Sequence, residues 1–149
     1  MRRLIKFCNK STYLLFIISA ILSNELNATI KVENTIDKPT RVRYTTGLTV
    51  TLQYKDEDGS WKNAYVSSGD LKQGKELTFE PEVKRATYNQ LVIGFNHNAR
   101  KDPLLDKYFP DLENRTRVYE NVKDGMSFKV SAKSLGAKKG YELVITPQD

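Results

Sequence analysis

The sequence predicts an all-β fold: a single-domain antiparallel β-sandwich of about nine short strands, with a β-barrel as the alternative. One short helix is expected inside a long connection. Three observations lead there. Apolar and polar residues alternate with period two through most of the chain after residue 29. Turn residues interrupt that alternation every ~8–12 residues. The chain beyond residue 28 is one domain's worth of sequence, with no repeat and no low-complexity linker.

Residues 1–28 have the physical make-up of an export signal. Arg2, Arg3, Lys6 and Lys10 precede a stretch from Tyr13 to Leu22 that is apolar apart from Ser19, and Ala28 offers a small residue at the exit. The apolar run is too short to cross a hydrocarbon core of ~30 Å as a permanent helix. The expected mature domain is therefore 29–149, secreted or periplasmic after cleavage near Ala28. The only cysteine, Cys8, lies in the signal. A mature exported domain without disulfides points to a bacterial envelope or bacterial secretion.

The strands follow in order. Ile30 and Val32 alternate with Lys31 and Glu33. Val42 and Tyr44 alternate with Arg41 and Arg43. Leu48, Val50, Leu52 and Tyr54 alternate with Thr49, Thr51 and Gln53, the cleanest pattern in the chain. Asp58-Gly59 then marks a hairpin into the Trp61 strand. Trp61 and Tyr65, four residues apart, are expected on one face. Gln73-Gly74 introduces Leu77 and Phe79. The runs Leu91 to Phe95 and Leu143 to Ile145 are apolar at every position, which predicts central strands or strands covered on both sides. Asp124-Gly125 joins the Val118 strand to Met126, Phe128 and Val130. Gly136 and Gly140 bracket the last turn. The expected core is Val50, Leu52, Phe79, Leu91, Ile93, Phe95, Phe128, Val130, Leu143 and Ile145.

The connection from His97 to Asn114 breaks the rhythm. Asp102-Pro103 is a good cap and first-turn pair. Leu104, Leu105, Tyr108, Phe109 and Leu112 recur at helical spacing, and Pro110 stops the helix. Such a short helix is marginal alone. Leu105 and Phe109 are therefore expected to anchor it on the sandwich.

Charge and chemistry narrow the function. The full chain has 24 Lys+Arg and 18 Asp+Glu, a net of +6; without the signal's four basic residues and Glu25 the net falls to +3. That mixed surface does not predict nucleic-acid binding. His97 is the sole histidine, and no G-x-S-x-G or Gly-rich phosphate loop is present. A zinc or copper site needs more His or Cys ligands than the mature chain owns. Asp56, Glu57 and Asp58 cluster, but Gly59 is misplaced for an EF-hand loop and the same residues suit a solvated hairpin tip. No metal and no cofactor is expected. Asn114-Arg115-Thr116 is a glycosylation sequon, relevant only in a eukaryotic source.

The functional expectation is a non-catalytic binding module rather than an enzyme, with a protein, glycan or membrane surface as partner. The alternatives are a membrane- or glycan-contacting effector (toxin, lectin or adhesin) and a carboxylate-based hydrolase. Aromatic and cationic residues that favour interfaces are Trp61, Tyr65, Arg41, Arg43, Arg100, Lys101, Tyr108 and Phe109.

Overall fold

A computed structural model describes residues 29–36, 47–67, 69, 71–95 and 103–149. The expected signal, the expected strand around Val42 and Tyr44, and His97 lie outside these residues. Eight strands are described: β1 Ile30–Asn34, β2 Leu48–Lys55, β3 Trp61–Val66, β4 Glu76–Phe79, β5 Thr87–Phe95, β6 Thr116–Lys123, β7 Ser127–Gly136 and β8 Gly140–Gln148. They form two four-stranded sheets, ordered β4-β1-β7-β8 and β3-β2-β5-β6. The fold is an all-β sandwich, and the two sheets do not close into a barrel.

Period two decides which face a residue takes, and β2 shows it well. Leu48, Val50 and Leu52 are fully buried, while Thr49, Thr51 and Gln53 point the other way. Opposite them across the core lie Ile30 and Val32 of β1 and Phe128 and Val130 of β7. Rings from both sheets meet inside. Tyr65 of β3 stacks on Phe79 of β4 at 3.8 Å, and Tyr119 of β6 meets Phe128 of β7 edge-on at 5.0 Å. Of the expected core, Phe95 and Ile145 are half-buried and the other eight are buried.

The sheets are not wholly antiparallel. β1 runs parallel to β7, with Lys31 opposite Ser127 and Asn34 opposite Val130. Alternation sets the face of a strand and carries no information about its direction. β7 follows β1 in the chain only after strands of both sheets, so no short turn joins the pair and forces it antiparallel.

A second departure concerns β8. Its apolar run predicts a central strand or one covered on both sides; among the described strands β8 is an edge. Leu143 and Ile145 lie on the inward side, and Val144 faces out opposite Ser131. Val144 is half-buried because it lies in the depression where β6 and β8 meet, between Arg117, Val118 and Lys133. Arg117 reaches across that seam to Glu142. The two-sided apolar character reflects this seam and not a third layer.

The short helix α1, Pro103–Tyr108, begins on the proline that lacks an N–H to waste. Phe109 N–H donates to Leu105 O at 2.7 Å and closes the last turn. Leu105 and Phe109 are buried as anchors, and Phe109 meets Phe95 edge-on at 4.9 Å. Leu112 departs from the helical stripe. Pro110 ends the helix, a 3-10 turn over Leu112–Arg115 follows, and Leu112 is 67% exposed. Arg115 clasps this region: its Nε donates to Phe109 O at 2.6 Å and its Nη2 to Asp106 at 2.7 Å.

Candidate functional site

The outer faces of the two sheets are unlike. On β4-β1-β7-β8, the outward positions are Lys31, Glu33, Glu76, Lys129, Lys133 and Glu142 among threonines and serines. Pairs such as Lys129–Glu33 and Lys133–Glu142 cross it. That is an ordinary solvated surface, where exposed ion pairs add little.

The outer face of β3-β2-β5-β6 is built from rows that the strand register lines up. One row runs Val66, Thr51, Val92, Val118 across all four strands. Val66 is 51% and Val118 49% exposed, so this apolar row is open to solvent. The next row runs Asn63, Gln53, Gln90, Glu120. Its amides are chained: Gln90 Nε2 donates to Gln53 Oε1 at 2.8 Å, and Gln53 Nε2 donates to Asn63 Oδ1 at 2.9 Å. A third row pairs Trp61 with Lys55, whose ammonium sits 5.2 Å from the ring centroid. Trp61 remains 47% exposed. Only Lys55 and Glu120 carry charge across the three rows.

Of the eight residues proposed from sequence, four are described, and of these Trp61 alone belongs to this face. Arg41, Arg43, Arg100 and Lys101 lie outside the described residues. Phe109 is fully buried and presents no surface to a partner. Tyr108 is half-buried, 6.4 Å from Tyr141 and with Lys107 over its ring. Tyr65 does not share a face with Trp61, and the reason is a bulge. Leu52 pairs with Tyr65 but Gln53 pairs with Asn63, which leaves Ala64 as an extra residue in β3. Tyr65 therefore turns inward beside Leu52, while Trp61 stays outward beside Lys55.

Sequence reasoning missed Gln53, Asn63, Gln90, Val66 and Val118. The alternation of β2 already put Gln53 on a polar face. What was missing is the register that sets it beside Asn63 and Gln90, residues 10 and 37 positions away.

The acidic hairpin tip is occupied with its own backbone. Asp56 Oδ1 accepts from Glu57 N–H at 3.0 Å, and Asp58 Oδ1 accepts from Ser60 N–H at 2.8 Å. Hydrogen bonding from Ser60 holds the Asp58 carboxyl below its ordinary value. Among the described residues, no three His, Cys, Asp or Glu side chains gather as metal ligands. One buried phenol lies in the core: Tyr88 donates to Val83 O at 2.8 Å and accepts from Arg85 N–H at 3.0 Å. Burial pushes its ionisation up, only partly offset by the Arg85 contact.

No protein-family model matches the chain, and no curated protein matches it in sequence. The geometry of the amide and valine rows is what remains to indicate function.

Proposed function

We propose that the chain is an exported, non-catalytic binding module of the bacterial envelope or secreted space, and that it binds through the outer face of β3-β2-β5-β6. One observation carries this reading: the two outer faces differ in kind. One is covered by charge. The other exposes Trp61, Val66 and Val118 around a line of hydrogen-bonded amides. A face with few charges that also exposes an aromatic has the composition that interface centres favour. Strands hold these groups in fixed positions, so little ordering is lost on binding.

The test pairs substitutions on the two faces. Labelled mature domain would be applied to bacterial envelope fragments and to intact cells. Trp61→Ala with Val118→Lys should abolish retention, and Lys31→Ala with Lys129→Ala should leave it unchanged. Equal effects from both pairs would remove the face from consideration. The export half of the proposal rests on residues 1–28. N-terminal sequencing of the exported product should begin near Thr29, and a full-length cytosolic product would refute it. Among the alternatives, the amide row favours a glycan ligand over a membrane surface, because anionic lipid attracts clustered cations and the rows of this face hold one lysine among the described residues.

A further inference from the structure

We infer that the ligand of this face is a neutral oligosaccharide, lying across the strands along the Asn63-Gln53-Gln90 amide row with one sugar ring against Trp61. The inference rests on the binding reading above and names its ligand.

The amide row has a direction. Gln90 donates to Gln53, and Gln53 donates to Asn63. At one end Asn63 Nδ2 has no partner among the described residues, so its N–H groups are available. At the other end Gln90 Oε1 is likewise unpartnered, beside Glu120 in the same row. The row thus offers donors at one end and acceptors at the other, over two strand spacings or roughly 9.5 Å. Sugar hydroxyls donate and accept at once, and side-chain amides match that dual demand without charge. Gln53 is held from both sides, so the intervening group is fixed before any ligand arrives.

Trp61 supplies what the amides lack. It stands two residues before Asn63 on the same outward face of β3, roughly 7 Å along the strand. A sugar ring has an apolar C–H face as well as a polar edge. A ring lying on the indole would bring that edge to the Asn63 donors. Among the described residues β3 is the last strand of its sheet, so a chain of sugars can run past Trp61 without meeting a described neighbouring strand. The charges argue for a neutral ligand. Lys55 is turned onto the indole, and Glu120 closes the far end of the amide row, so the middle of the face is uncharged. A protein partner would place the driest, most apolar part of its interface at the centre. Here amides stand between the valine row and Trp61.

The experiment is an amide-resolved NMR titration of the mature domain. The probes are a panel of neutral soluble oligosaccharides of glucose, mannose and N-acetylglucosamine, an oligogalacturonate as the acidic comparison, and anionic phosphatidylglycerol vesicles. At least one neutral saccharide should shift the side-chain amides of Asn63, Gln53 and Gln90 together with the Trp61 indole. Trp61→Ala should weaken that binding by about tenfold or more. Gln53→Leu should also weaken it by breaking the amide chain, and Gln53→Glu serves as the second variant should the leucine disturb β2. Lys129→Ala on the opposite sheet should bind as the parent does. The inference fails if no neutral saccharide in the panel shifts these resonances at millimolar concentration, or if the shifts fall elsewhere. It fails equally if only the oligogalacturonate or the vesicles act. Retention on envelope fragments that needs Trp61 but resists competition by every saccharide would overturn the glycan and leave the binding reading standing. Loss of the Trp61 requirement would overturn both.

Discussion

Phe109 and Trp61 are both large aromatics, and their surroundings give them opposite roles. Phe109 is enclosed by Phe95, Tyr141 and Leu105, with its carbonyl held by Arg115. Truncating Phe109 to Ala should cost ~3–5 kcal/mol in urea unfolding, because the cavity cannot refill. Trp61→Ala should stay within ~0.5 kcal/mol, the range of surface substitutions. Tyr88 gives a second expectation, in pH. Its folded phenol ionises above the ordinary value of 10.0 because burial penalises the charged form. The unfolded chain therefore releases this proton first. The contribution of Tyr88 to stability is complete below about pH 10. It is lost as pH rises from there through the raised folded value. Unfolding midpoints measured across alkaline pH should fall steeply, and Tyr88→Phe should fall less steeply. A parallel decline in both proteins would show that another group is responsible.

At the scale of elements, the helix and its seat depend on one glycine. Gly140 has φ +72°, and a Cβ built there would lie 2.5 Å from Tyr108 O and 2.7 Å from Pro110 Cδ. Gly125 has a similar φ of +79° with nothing within 4 Å. Gly125→Ala should therefore cost only the left-handed backbone penalty, ~1–2 kcal/mol. Gly140→Ala should cost more, because it also pushes the turn after α1 off the β7–β8 hairpin. Equal losses in thermal unfolding would show that α1 yields freely. The helix was legible in sequence because Pro103 and Pro110 mark both ends and Leu105 and Phe109 lie four apart; Asp102, the expected cap, lies outside the described residues. The inversion of Trp61 and Tyr65 was not legible. A bulge residue such as Ala64 has no compositional mark, and it exists only relative to the partner strand. The same is true at Asn121, which adopts φ 57° within β6. Pairing below it continues in register, but the buried residues switch from Leu91 and Ile93 to Tyr88 and Val122.

Over the whole molecule, what the sequence encodes locally is what could be read from it. Faces of strands, turn positions and the class of fold follow from alternation and from glycines such as Gly59 and Gly125. The partition of strands between sheets does not, since nothing in the residues of β8 distinguishes a central strand from an edge sealed by Arg117. The candidate face was half visible: Trp61 could be named, but the amide row exists only once β3, β2 and β5 are laid side by side. If the two sheets form one cooperative unit around the shared core, residues 29–149 should unfold in a single transition whether followed by Trp61 fluorescence or by far-ultraviolet circular dichroism. Non-coincident curves would show the two sheets separating.

The parallel partnership of β1 with β7 also sets a schedule. Lys31 waits for Ser127, 96 residues later, and between them the chain visits the opposite sheet twice. Contacts this distant in sequence are slow to close, because the intervening loop entropy is lost before the pairing rewards it. Until β7 emerges, the only partner of β1 among the described strands is the four-residue β4, which is too little to hold it. A chain threaded through a membrane from its N-terminus would thus keep its first strand unpaired on one side until nearly all of it had crossed. A chain ending before β7 should not refold after dilution from denaturant, and the intact domain should refold slowly in a single phase. The order of synthesis and the order of assembly are, for this chain, almost reversed.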